Sequence, residues 1–153
     1  MGCKNVHSSE YAFIQNELIN VIAKSICKIT YKIGKINKYG TGFFMNISND
    51  NSFKSLITNY HVISEDLINK YIELELHNKE TKKLFLDNNF RKIIFFKYNL
   101  DITVIEIKND DLEIIKNVIF LDFDYNYLRG YNQYKDIFVF ASGYPYGKKI
   151  VIF

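Results

Sequence analysis

Apolar positions recur along the chain with two different periods. Between Glu10 and Lys24, Ile14, Leu18, Val21 and Ile22 are spaced i, i+4, i+7 and i+8, which puts them on one face of a helix. Ser8 or Ser9 stands where a hydroxyl can cap it. After this segment the period falls to two. KITYKI sets Ile29, Tyr31 and Ile33 against Lys28, Thr30 and Lys32, and YIELELH sets Ile72, Leu74 and Leu76 against Glu73, Glu75 and His77. Successive strand side chains point to opposite faces, so both runs predict half-buried antiparallel strands.

Further β-like runs are FFMNI (43–47), SLIT (55–58), KIIFFK (92–97), ITVIEI (102–107), VIFL (118–121), DIFVFA (136–141) and KIVIF (149–153). Turn clusters such as SNDNS, LDNN and KNDD separate them, at spacings that suit a sandwich or barrel. SEDLINK, after Val62 and Ile63, predicts a short helix capped by Ser64, with Glu65 and Asp66 near its positive end. The single proline, Pro145 in GYPYG, predicts a turn between the last two strands. The expected class is all-β: an antiparallel barrel preceded by a short amino-terminal helix. The final apolar run, KIVIF, is expected to pair with something later in a longer chain.

Composition narrows the function. With 48% hydrophobic and 24% charged residues the chain is globular rather than disordered. Twenty Lys and Arg against 17 Asp and Glu leave a net charge of +3, too small to indicate a polyanion, so no nucleic-acid partner is expected. Two cysteines, Cys3 and Cys27, neither staple a fold of this size nor offer zinc spacing. A reducing, cytoplasmic setting is expected: no signal peptide precedes the domain, and the apolar runs are far shorter than the roughly 20 residues that span a bilayer. MGC at the start is similar to an acylation signal through Gly2 and Cys3, but Val6 stands where that signal needs Ser or Thr.

Two places carry chemistry. In LITNYHVI (56–63) a strand delivers His61 at its end, and imidazole exchanges protons near neutral pH, as a general base must. In NLDITVIEI (99–107) Asp101 opens an otherwise apolar strand, where a carboxylate can accept the Nδ1 proton of an imidazole and fix its tautomer. Each residue also has an ordinary structural reading. A strand-end His is often simply hydrogen-bonded, and an Asp before a strand often bonds its own backbone.

The ordered set GTGFF (40–44), LITNYHVI, NLDITVIEI and GYPYG (143–147) resembles the trypsin-like serine peptidases of the chymotrypsin and HtrA type, which are double β-barrels of the PA clan. The resemblance implies that His61 is the general base, that Asp101 orients it, and that Gly40 and Gly42 allow tight strand packing. It also implies three parts: an amino-terminal extension with a helix (1–25), a first barrel of six antiparallel strands (26–125), and a linker with the opening strands of an incomplete second barrel (126–153). The implied partner is a peptide or protein substrate, with no cofactor and no metal.

The departure from that pattern is the nucleophile. The family carries it in a Gly-x-Ser-Gly segment, and none occurs here. Ser142 belongs to a structural strand, its neighbours Gly143, Tyr144 and Pro145 do not form a nucleophile turn, and Cys27 sits on the first barrel strand. The expected function is therefore the amino-terminal part of a serine-type endopeptidase, a hydrolase fragment inactive by itself. The alternative is a noncatalytic protein-binding module using exposed strand edges, self-associating through Ile137–Ala141 and Ile150–Phe153. A metal or nucleotide site gains no support, since His7, His61 and His77 lack ligand spacing and no GxxxxGK is present.

Overall fold

The structure, a computed structural model, describes residues 7–48, 52–98 and 100–122, with two strand fragments at 142–143 and 151–152. Helix α1 (His7–Ser25) runs directly into β1 (Ile26–Ile33), which returns as β2 (Ile36–Asn46). Gly34 turns this hairpin at φ +60°, a backbone region that costs glycine little. There follow β3 (Lys54–Asn59), a 3-10 turn (Glu65–Leu67), β4 (Tyr71–Glu75), β5 (Thr81–Phe85), β6 (Ile93–Phe96), β7 (Ile102–Glu106), α2 (Asn109–Ile114) and β8 (Leu121–Asp122). The fragments β9 (Ser142–Gly143) and β10 (Val151–Ile152) pair with each other.

The strand path is β5-β4-β1-β2-β3-β7-β6, with β8 parallel to β2. Its two end strands are consecutive in the chain, joined by residues 86–92. Laid flat, seven strands about 4.8 Å apart would separate those ends by about 29 Å, the full reach of such a connector at about 3.3–3.6 Å per residue. The connector is not extended, because Arg91 N–H turns back to bond Asp87 O at 2.9 Å. The sheet must curl until its ends approach. Ile29, Phe44, Leu56, Ile72, Leu74 and Ile105, all at 0% exposure, then fill the interior. Register sets Ile29 opposite Leu74 and Leu56 opposite both Phe44 and Ile105. Each such side chain contributes about 1.5–3 kcal/mol by leaving water.

Two glycines on β2 stand where a side chain would collide with its neighbours. A Cβ at Gly40 would lie 2.2 Å from Val62 Cγ1, and one at Gly42 would lie 2.7 Å from Leu56 Cδ1 and 2.9 Å from Ile29 Cδ1. The expected role of these glycines in tight packing is what the contacts show.

Several local expectations need correction. Helix α1 starts at His7, so Ser8 and Ser9 lie inside it rather than before it. The predicted SEDLINK helix is a single 3-10 turn, and the Ser64 side chain makes no cap bond. VIFL contributes only Leu121 to a strand; Val118 and Phe120 instead pack on the core, Phe120 edge-on to Phe44 at 5.5 Å. The KNDD cluster is not a turn but the start of α2, where Asp111 accepts from Lys108 N–H at 2.7 Å. Strand β5 carries no clear sequence pattern, because Lys82 and Lys83 interrupt its alternation and only Leu84 is buried. The DIFVFA strand, the GYPYG turn and most of the expected second-barrel opening lie outside the described residues.

Candidate active site

Antiparallel pairing of β3 with β7 brings the two candidate residues together. Asn59, the last residue of β3, faces Ile102, the first of β7. His61 is two residues past the end of one strand and Asp101 one residue before the other, so both emerge at the same end of the sheet. Tyr60 N–H extends the ladder to Asp101 O at 2.9 Å. The chain then turns sharply: Val62 and Ile63 N–H both bond Asn59 O at 3.1 Å. Val62 and Ile63 are buried, and Val62 sits in the space that Gly40 leaves open. Beneath the turn, the buried Thr103 hydroxyl donates to Ile63 O at 2.7 Å and fastens it to β7.

His61 and Asp101 meet twice. The Nδ1 atom of His61 lies 2.5 Å from Asp101 Oδ2, and the His61 backbone N–H donates to Oδ1 at 2.9 Å. With Nδ1–H donating to the carboxylate, Nε2 is left as the acceptor. Nε2 has no partner among the described residues, and the imidazole side chain is 69% exposed. The Asp101 carboxyl is held below the usual carboxylate range, chiefly by the His61 ring and then by the His61 backbone N–H. Asp101 adopts φ +51°, the left-handed region that Asp tolerates better than most residues but that still costs energy. The Asn59 amide answers that geometry by donating to Asp101 O at 3.2 Å and Oδ2 at 3.4 Å.

A second set of contacts surrounds Tyr60. Its hydroxyl donates to Glu65 Oε2 at 2.5 Å, its ring meets Phe95 edge-on at 6.1 Å, and Lys97 Nζ stands 5.6 Å from its centroid. The bond to Glu65 raises the Tyr60 hydroxyl pKa and lowers that of the Glu65 carboxyl. Cys27 is fully buried, and burial pushes its thiol far above the ordinary range. Among the described residues no cluster of His, Cys, Asp and Glu could hold a metal ion.

No family model and no curated protein matches the sequence. Among solved structures the chain is similar to the serine endoprotease from Yersinia pestis, with a TM-score of 0.56 and 16% sequence identity over 90% of this chain and 41% of that one. The fold is trypsin-like. At this identity the likeness carries the architecture alone, and the chain spans 41% of the length of the solved structure it matches. On this trypsin-like frame, His61 and Asp101 stand in mutual contact. Asn59, Tyr60, Glu65 and Thr103 were not singled out from sequence. Asn59 and Tyr60 lie inside the TNYHV motif, so polarity at the end of an apolar strand was the available signal. Thr103 gave none, and Glu65 is marked only as an acid near a predicted helix start. No helix among the described residues is long and apolar enough to cross a membrane.

Proposed function

We propose that this chain carries the proton-handling part of a serine-type endopeptidase, with His61 as general base and Asp101 as the group that orients it. The supporting observation is the Nδ1 to Oδ2 contact at 2.5 Å with the opposite ring nitrogen open to solvent, on a trypsin-like fold. In this reading Nε2 takes the proton of an attacking hydroxyl, Asp101 stabilises the imidazolium that forms, and the proton later passes to the leaving amine. The attacking hydroxyl is not supplied by a Gly-x-Ser-Gly segment within these 153 residues, which span 41% of the length of the matched structure. The substrate is a peptide or protein.

The test is to express the gene with the coding sequence that follows Phe153 and to measure peptide hydrolysis. His61→Ala is expected to lower kcat/KM by about 10⁴-fold or more, and Asp101→Asn to lower it by about 10⁴-fold at neutral pH, through the wrong imidazole tautomer. The 153-residue chain alone is expected to hydrolyse no faster than its own His61→Ala form. Full hydrolysis by the longer His61→Ala protein would overturn the assignment.

A further inference from the structure

The imidazole of His61 is 69% exposed and the Asp101 side chain 44% exposed, so close packing does not select their rotamers. Orientation has to come from the backbone that bears the ring. The demand is strict, because one residue presents two donors, its N–H and its Nδ1, to the two oxygens of a single carboxylate. A tilt of the peptide between residues 60 and 61 would satisfy one bond at the expense of the other. The Tyr60 side chain is placed to prevent that tilt. It reaches Glu65 on the 3-10 turn that follows the base, Phe95 on β6, and Lys97 on the segment leading into Asp101. It therefore ties the piece of chain that carries the base to the piece that delivers the acid.

We propose that Tyr60, held by Glu65 and Lys97, is a positioning residue that sets the peptide at 60–61 so that both donors of His61 meet Asp101. The proposal rests on the dyad reading above. Tyr60 touches no reacting atom; its effect passes through the backbone of His61. Phenylalanine at this position would keep the ring against Phe95 and lose the hydroxyl's contacts with Glu65 and Lys97, which separates orientation from packing.

The experiment is proton NMR of the 153-residue protein with ¹⁵N-labelled histidine, following the low-field Nδ1 proton of His61 and its exchange with solvent. Tyr60→Phe and Glu65→Ala are each expected to speed that exchange roughly three- to tenfold, and the double variant to do so no more than Tyr60→Phe alone, since both remove the bond between the Tyr60 hydroxyl and Glu65. Glu80→Gln, which removes the ion pair with Lys82, is expected to leave exchange unchanged. Urea midpoints establish that each variant is folded, and Glu65→Ala alone decides the matter should Tyr60→Phe fail to fold. Wild-type exchange rates in both single variants would overturn the positioning role. Asp101→Asn separates the two readings. If the low-field proton persists in it, the dyad reading fails and takes this one with it; if the proton vanishes there, the effect of Tyr60→Phe is judged on its own.

Discussion

Asp101 meets several demands at once: it accepts from the His61 ring, from the His61 backbone and from the Asn59 amide, and it bends the chain through φ +51°. All three donors favour the ionised carboxylate, and the ring dominates the depression of its pKa. A folded-state pKa below the unfolded one stabilises the folded form above the unfolded value, and that contribution is lost as the pH falls through the folded value. The window therefore lies between about 3.9, the ordinary Asp value, and the depressed value beneath it. Asp101→Asn should remove this component, so its urea midpoint should fall less steeply than that of the wild type between about pH 5 and pH 2. Equal acid slopes in the two proteins would show that the contact does not favour the ionised form in the fold.

The turn that carries His61 is an element in its own right, built by a glycine above it and a hydroxyl beneath. Val62 Cγ1 would be 2.2 Å from a Cβ at Gly40, and a β-branched side chain has little freedom to move aside. Gly40→Ala should cost about 1–3 kcal/mol by overpacking and displace the His61 turn. Urea unfolding measures the first, and loss of the His61 Nδ1 low-field proton resonance measures the second. Thr103→Val keeps the shape and removes the donor to Ile63 O. Leaving a buried carbonyl without that bond should cost about 1–3 kcal/mol, and a loss under 0.5 kcal/mol in the same measurement would argue that another donor replaces it. Farther along, Arg91 holds Asp111 with two bonds at 2.8 and 3.1 Å and donates to Glu106 O at 3.0 Å. These bonds join the 86–92 connector to α2 and to the end of β7.

Across the whole molecule, the sheet that curls to bury the core also carries His61 and Asp101 at the meeting ends of two neighbouring strands. The two residues are 40 positions apart in the chain, and the β3–β7 ladder, in a register that pairs Asn59 with Ile102, joins their ends. Alternation in KITYKI and YIELELH, the glycines of GTGFF, and the motif order around His61 and Asp101 were all legible in the sequence. Strand β5 and helix α2 were not: two lysines hide the first, and the second opens with residues that equally suit a turn. Nor did any local pattern mark the left-handed backbone at Asp101, the Asn59 amide that meets it, or the link from Tyr60 to Glu65. The sequence by itself determined which side chains could be buried on which face, because periodicity is a property of neighbouring residues. Only the tertiary structure decided which strand ends meet and which donors share one carboxylate, because register and curl are set by contacts between segments that the sequence keeps apart.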